Sequence, residues 1–531
     1  MTTTSYRSVR PAGRDGFGQL LRAEWTKLRT VRGWVLTIFL AAALTAAVPI
    51  FLASTAKSND PVTCAHGICQ AEGQTIAVGP ADTAVVDNFY FADQPLASDG
   101  SIIARVSGLH GVSRLPPGFA RAPATMPWAK AGLIIKASTK PGAAYAAVML
   151  TGGHGVRMQY DFTHEIAGTS AVSAQWLRLT RSGGSVTGFE SADGRQWTEI
   201  GTAVLPGLTG TAQVGLFVAS PTFQAAFGSG DNSVGIATHA VASFGHITLS
   251  GGQPAGHWTG TQVGTPSADG AINFSVNGHP VKGPVTQPGS VRAVAGTITV
   301  SGSGDIAPFE PIVDPLHVTF FGTLFGLIAL IALGALFVTA EYRRGLIRTT
   351  VAASPRRGRI LVAKSIIIGV VAFLAGLIGG AVALPIASRK LYANDWRPPV
   401  WPQLSLTSGI GLRIVLGTAA IAAVATVLGL AAGAIFRRGT GAIVVTTGVV
   451  IVPLILALVM PLTLATWLLR LSPAAAFSVQ SSVQRYPQVS NVCAPYHSCF
   501  PLSPWHGFAV LCVWAAVALG VAIYALRRRD V

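Results

Sequence analysis

Six stretches of this chain are apolar for long enough to cross a bilayer: about 34–53, 317–339, 361–387, 410–436, 441–460 and 505–526. A spanning helix needs roughly 20 such residues, and in lipid it must satisfy its backbone hydrogen bonds internally. These stretches are thereby restricted to helices packed side by side in a membrane. Charged residues make up only 11% of the 531, against roughly 25% in an average soluble chain. One interval, residues 54–316, escapes the restriction, because it contains no long apolar run.

The net charge is +17, and much of it flanks the apolar runs. With the N-terminus inside, seven Lys/Arg fall in residues 1–33, seven in 340–364, two at Arg437–Arg438 and three at Arg527–Arg529. The short loops of the opposite side carry five: Arg389, Lys390, Arg397, Arg470 and Arg485. Cationic loops stay on the cytoplasmic side, so nineteen against five sets both termini inside and residues 54–316 outside. No nucleic-acid motif accompanies the charge, and none of it is assigned to DNA or RNA. Anionic lipid is its expected partner.

Residues 1–33 form the cytoplasmic N-terminus. Within them Phe17, Leu20, Leu21, Trp25, Leu28 and Val31 recur near a helical period, with Arg22, Lys27, Arg29 and Arg32 between. This pattern predicts an amphipathic helix lying on the membrane surface and leading into the first span, 34–53. The long lead-in and long apolar run favour a retained anchor over a cleaved signal.

Residues 54–316 alternate short β-rich segments with Gly, Pro, Asn and Asp, which predicts an all-β sandwich. Strands are expected at 102–106, 128–137, 144–151, 156–162, 176–181, 214–218 and 293–300. The stretch from AGLIIKAS through VRMQYDF and QWLRLTRSGGSVTGFESADGRQWTEI to AQVGLFVAS resembles the concanavalin A/laminin G-like jelly rolls of extracellular proteins, over about 80–250. In it Asp193-Gly194 would make a turn and Trp197 would pack inward. That resemblance makes an extracellular glycan a candidate ligand. Residues 251–310 read as a β-rich stalk returning the chain to the membrane. The fold class is therefore mixed: a six-span α-helical transmembrane domain with an extracellular jelly-roll sandwich inserted between spans one and two.

Cys64 with Cys69 and Cys493 with Cys499 form two close pairs in segments assigned to the outside, where disulfides persist. Two disulfides are expected, the alternatives being free thiols or a metal site. Pro461 should end the fifth span, with Leu462–Leu471 a half-helix dipping into the outer leaflet and 461–504 an outer half-helix region.

No catalytic or metal-binding set is evident. A phosphate-binding G-x-x-x-x-G-K-[ST] loop, a G-x-S-x-G elbow and an H-E-x-x-H pair are all missing from the sequence. His154, His164, His239 and His246 read as turn or surface residues. Asp82, Asp87, Asp93 and Asp99 read as solvated loop acids rather than a calcium site. Arg413 is expected to reach water from an outer span end. No enzyme activity, metal or cofactor is expected of this chain.

The loop after the second span, AEYRRGLIRTTVAASPRRGRILVAK, is the sharpest signal. Glu341, Arg344 and Arg348 fall near one helical face, and Pro355 stops a helix at Ser354. A charged element held between two spans, 340–360, can act as a lever for a cytosolic partner. Topology and lipid binding alone are the competing explanation.

The loop resembles that of ABC-2-type permeases, the exporter class of ATP-binding-cassette systems, in Glu341, Gly345, Pro355, Arg356–Arg357 and Lys364; Leu346 stands where threonine is usual. LLRAEWTKLRTVRGW resembles the family's interfacial helix, and the resemblance covers 17–53 and 317–529. It implies a dimer with a second copy or paralogue in the bacterial plasma membrane. It also implies docking of a cytosolic ATPase through Trp25, Lys27, Leu28, Arg29, Glu341, Arg343, Arg344, Gly345, Arg348, Pro355, Arg356 and Arg357. ATP and magnesium would belong to that partner, and the uniformly apolar spans suit an amphipathic substrate. The alternative function is a membrane-anchored extracellular glycan-binding or sensory protein.

Overall fold

The computed structural model describes residues 16–58, 62–71, 74–112, 123–170, 175–226, 233–252, 258–265, 274–276, 279–281, 288–343, 345, 357–489, 493 and 499–528. Among these, six helices are long and apolar enough to cross a membrane. In chain order the helices are α1 (Phe17–Thr30), α2 (Arg32–Thr55), α3 (Pro315–Phe320), α4 (Thr323–Arg343), α5 (Arg357–Ala393), α6 (Gly409–Phe436), α7 (Gly439–Ala457), α8 (Leu462–Leu471) and α9 (Pro504–Arg528). α3 and α4 together make the second span.

The bundle closes through small residues. A Cβ on Gly326 would fall 2.7 Å from Ala41 O and closer still to Thr45 Oγ1, so α4 lies directly on α2. On Gly429 and Gly433 it would fall 2.7 and 2.8 Å from the carbonyls of Ile331 and Ala335, which brings α6 onto α4. The pairs Gly322-x-x-x-Gly326 and Gly429-x-x-x-Gly433 thus serve contacts within the chain, where missing side chains let backbones approach. α8 turns by 93° into a 3-10 helix, Pro473–Gln480, whose eight residues are all buried. An irregular backbone at this depth persists because protein covers it.

Between α2 and α3 the chain forms a large antiparallel β-sandwich. Phe89–Val112 is its spine, pairing with Gln175–Ser182, Ala212–Ala219, His239–Gly252 and Thr259–Val263. Lys130–Lys136 and Tyr145–Thr151 are buried along their whole length. Ala131, Leu133, Ile135, Val148 and Leu150 face the main core; Ile134, Tyr145, Ala147 and Met149 face a second one with Phe89, Phe91 and Phe217. A small five-stranded sheet, from Thr63–Ala65 to Ala84–Asp87 and Ile306–Pro308, belongs to the same region.

Two expectations about this region are corrected. The described strands of 251–310 are not a stalk: Thr259–Val263 and Thr297–Ser303 join the large sheet and Ile306–Pro308 the small one. Their sparse apolar residues, Val263, Ile298, Val300 and Ile306, are buried despite Gly/Ser/Thr-rich surroundings. Residues 293–300 do not form one strand either. Ala295 (φ 48°) and Gly296 (φ 78°) turn the chain back, pairing Ser290–Val294 with Thr297–Ser303, as a two-residue hairpin loop with two positive φ angles does.

The sandwich is anchored to the bundle: Val400 and Trp401, between α5 and α6, pack with Cys69, Ala71 and Ile76 of the small sheet, and Gln488 Nε2 donates to Phe162 O (3.3 Å). The segments around this junction are held to each other as well. Trp396 Nε1 donates to Ala56 O (3.0 Å) and Trp401 Nε1 to Val313 O (3.1 Å). Asp314 accepts from Ser482 N (2.6 Å), Ser482 Oγ (2.6 Å) and Val483 N (3.1 Å), and caps α3 through His317 N. Both predicted disulfides, Cys64–Cys69 and Cys493–Cys499, are formed.

Candidate functional site

α1 carries two kinds of surface. Trp25 is 45% exposed and Arg22 and Arg29 are exposed, whereas Glu24 and Leu28 are buried against the bundle. Leu28 packs in a core that includes Leu333, Phe337, Leu361 and Ile368. That is how an amphipathic helix should sit, with one exception: its buried stripe includes a carboxylate.

The exception is explained by Lys364 of α5. Its ammonium donates to Glu24 Oε2 at 2.6 Å and to Glu341 Oε1 at 2.7 Å. Lys27 donates to Glu24 Oε1 at 2.9 Å and to the same Glu341 oxygen at 3.0 Å. Two carboxylates and two ammoniums cancel, so the cluster is neutral as a whole. The Lys364 and Glu24 side chains are each 1% exposed. Charges this far from water persist only with close pairing; among the described residues Glu341 Oε1 takes both lysines and its buried Oε2 has no partner. The Phe337 ring centroid lies 4.8 Å from Lys364 Nζ, adding a cation–π contact, and the Trp34 ring packs edge-on with the same ring, centroids 5.0 Å apart. Burial tends to lower the Lys27 pKa, but the hydrogen bond and charge of Glu24, with those of Glu341, outweigh it and raise the pKa.

The cluster thus fastens three elements: the surface helix α1, the end of α4 and the start of α5. Two further contacts extend the junction. The Arg437 guanidinium lies 5.3 Å from the Tyr342 ring centroid, joining the end of α6 to α4. A Cβ on Gly358 would lie 3.2 Å from the Ile523 side chain, so α5 starts against α9.

The residues singled out from the sequence do not share one environment. Glu341 and Lys27 belong to the ion cluster and Leu28 to the core, while Trp25 and Arg29 face outward. Arg343 ends α4, Gly345 follows it in a left-handed turn (φ 67°), and Arg357 begins α5. Arg344, Arg348, Pro355 and Arg356 lie outside the described residues. Glu24 was missed. Its signal was present: Leu21, Glu24 and Leu28 share a helical face (i, i+3, i+7), which places an acid on the apolar stripe.

Other expectations change elsewhere. Asp87 and Asp93 are buried in the β region rather than solvated. Asp87 pairs with Lys136 at 2.6 Å, and Asp93 accepts from Thr261 Oγ1 at 2.7 Å. Trp197 does not enter the core; it is half-buried, with the Arg178 guanidinium 4.6 Å from its ring centroid. Arg413 donates to Ser481 O at 2.6 Å instead of reaching outward to water.

A second polar cluster lies inside the bundle. Gln480, at the end of the buried 3-10 helix, donates to Thr418 Oγ1 (3.0 Å) and Thr323 Oγ1 (3.2 Å). Among the described residues, no group of three or more His, Cys, Asp or Glu is placed to hold a metal ion.

A family model described as "ABC-2 family transporter protein" matches residues 20–531. No curated protein matches the chain. Among solved structures, a scytalido-glutamic peptidase bound to a transition-state analogue inhibitor aligns at 8% identity over 41% of this chain and 98% of its own, with a TM-score of 0.23. A functionally unknown protein from Saccharomyces cerevisiae aligns at 16% identity over 39% and 99%, with a TM-score of 0.20. A GH43 protein from Bacillus licheniformis aligns at 14% identity over 30% and 35%, with a TM-score of 0.16. Likenesses at these scores say nothing about what this chain does.

Proposed function

The chain belongs to the ABC-2 family of transporters, and on that premise we propose that it is the permease subunit of an ATP-driven exporter. It is a multi-pass membrane protein in a membrane transport role, with no ATP-hydrolysing site of its own. A cytosolic ATPase subunit, holding ATP and magnesium, would supply the energy. The working unit would be a dimer of six-span subunits with both termini in the cytoplasm of a bacterial cell. The β-sandwich, a module of the jelly-roll kind, would stand outside.

One observation carries this reading. Lys364 fastens α1 to the ends of two spanning helices through Glu24 and Glu341. A helix that only rested on lipid would need no buried ion cluster. Fastened in this way, α1 moves with α4 and α5 as one body. A partner pressing on Trp25, Arg29 and the 340–360 loop would therefore tilt two spans together. At the other end, Gln480, the last residue of the 3-10 helix that follows the 93° bend, donates to Thr323 of α4 and Thr418 of α6, so tilting α4 would disturb that polar contact and open a path for an amphipathic substrate.

The test is purification of the tagged full chain from its own cells in mild detergent, with identification of bound proteins. A soluble ATPase with a phosphate-binding loop is expected in near-stoichiometric amount. Repeated recovery of the chain without any ATPase rejects the coupling role.

A further inference from the structure

Lys136 ends the strand Lys130–Lys136, opposite Tyr145, and Asp87 ends the strand Ala84–Asp87 of the small sheet, opposite Ile306. Their side chains, both 0% exposed, meet with Lys136 Nζ 2.6 Å from Asp87 Oδ2. The Tyr145 and Phe162 ring centroids each lie 5.5 Å from Nζ and help to enclose the contact. We propose that the two side chains become joined covalently, by an isopeptide bond between Lys136 Nζ and Asp87 Cγ. The proposal is independent of the transport reading.

The hydrogen bonds around the pair suit an amide better than two ions. Asp87 Oδ2 accepts from Lys136 Nζ and from Gly142 N (2.7 Å), whereas the buried Oδ1 has no partner among the described residues. Lys136 Nζ also donates to Ala143 O at 2.9 Å. In the amide, Oδ2 still accepts from Gly142 N and the one remaining N–H is still taken by Ala143 O. The stranded Oδ1 is the atom that leaves. The bond also removes two charges from a site where neither is solvated, a costly place for an ion pair. Lys130 with Asp305 provides the contrast: the Asp305 side chain is 11% exposed, its Oδ1 also accepts from Ile306 N (2.8 Å), and it has no buried oxygen without a donor.

The reaction needs nothing from outside. Burial favours the neutral partners, so one proton passes from the ammonium to the carboxylate and leaves an amine beside an acid. The amine lone pair attacks Cγ and the Cγ–Oδ1 bond breaks. Oδ1 departs as water, carrying that proton and a second one from Nζ. Ammonium plus carboxylate thus give amide plus water, with no oxidant, nucleotide or other co-reactant. Asp161, which accepts from Tyr145 N at 3.4 Å and whose pKa burial raises, is a nearby carboxylate able to carry the proton between them. Well-oriented groups react with effective molarities of about 10⁵–10⁸ M, which drives an amide formation that free lysine and aspartate do not undergo. The bond ties the large sheet to the small one, which packs on Val400 and Trp401 of the bundle.

The experiment uses the full chain purified in detergent, then unfolded, reduced, digested with trypsin and examined by mass spectrometry. Trypsin does not cut after an acylated lysine. Residues 131–157 should therefore be recovered joined to residues 58–105, lighter than the two peptides together by one water. Fragmentation should place the link at Lys136 and Asp87. Lys136→Arg, which keeps the positive charge but lacks the amine, and Asp87→Ala should each yield linear peptides only. The wild-type digest decides the matter even where a variant fails to fold. Linear 131–136 and 58–105 as its main products overturn the proposal, and so does a branched peptide that persists in Asp87→Ala.

Discussion

Lys364 and Glu24 meet at 2.6 Å although 340 positions separate them in the chain. The bond joins the surface helix that begins the described chain to the third of its six spans, and Glu341 completes it from the second. Because both ends are buried, the pair fixes where α1 sits far more firmly than a surface ion pair, worth about 0–1 kcal/mol, would.

Lys364→Met should therefore be severely destabilising. It leaves the Glu24 and Glu341 carboxylates with only the half-exposed Lys27, and removing one partner from a buried pair costs about 3–5 kcal/mol. Unfolding in detergent, together with trypsin cleavage at Arg22 and Arg29, should show α1 released. Glu24→Leu and Glu341→Leu added to Lys364→Met should recover most of the stability, because apolar replacements of similar size leave no buried carboxylate unpaired and the Lys27 ammonium, 39% exposed, can turn to water. A Lys364→Met protein with native melting and native cleavage would show that the cluster holds nothing together.

The Lys27 pKa stands above its ordinary value, and the sign of its linkage follows. A lysine raised by folding contributes stability that is complete below its unfolded pKa and is lost as pH rises through the folded one. Wild type should therefore exceed Lys27→Gln in melting temperature at neutral pH, and the gap should close only in strongly alkaline buffer. A gap that does not change with pH would remove charge from the explanation.

How much of this was legible beforehand depended on the range of the interaction. Apolar runs and the 3.6-residue period lie within a few turns of chain, so the spans, α1 and the half-helix after Pro461 could be read from local pattern. Lys130 and Lys136, six residues apart in a strand, share a face, which a sequence can show. Their acid partners, Asp305 and Asp87, lie 175 and 49 positions away, which it cannot. Glu24 lies between these cases. Its place on the apolar stripe was visible, but the lysine that makes it tolerable was not. The β-hairpin at Ala295-Gly296 was hidden because alanine gives no hint of a positive φ.

Gly326→Leu should separate α4 from α2, because the first atom of any side chain there collides with Thr45 and the Ala41 carbonyl. Overpacking of this kind costs about 1–3 kcal/mol. Gly448 has nothing within 4 Å of an added Cβ, so Gly448→Ala is the control and should be neutral or slightly stabilising. Equal melting temperatures for the two variants would argue against the close α2–α4 approach.

The two disulfides close loops with sequence separations of 5 and 6. Loops this short return about 2 kcal/mol each in the chain-entropy account. Mass spectrometry without reductant should find Cys64 linked to Cys69 and Cys493 to Cys499, with Cys512 free. Cys69→Ala should lower stability by about that amount. Recovery of free thiols at all four positions would also weaken the assignment of these segments to the outside of the cell.

Arg344→Glu with Arg348→Glu tests the proposed coupling apart from the fold. Both follow Glu341 in the basic loop, and the ion pairs among the described residues of the cluster run between Glu24, Lys27, Glu341 and Lys364. The double variant should insert normally and melt like wild type, which a melting curve run beside wild type checks. What should change is the partner. Reversing two charges at a contact changes encounter rate and register together, so the ATPase recovered with wild type should be lost or reduced at least tenfold. Undiminished recovery would move the docking surface to α1 alone, where Trp25→Ala with Arg29→Glu would then have to abolish it.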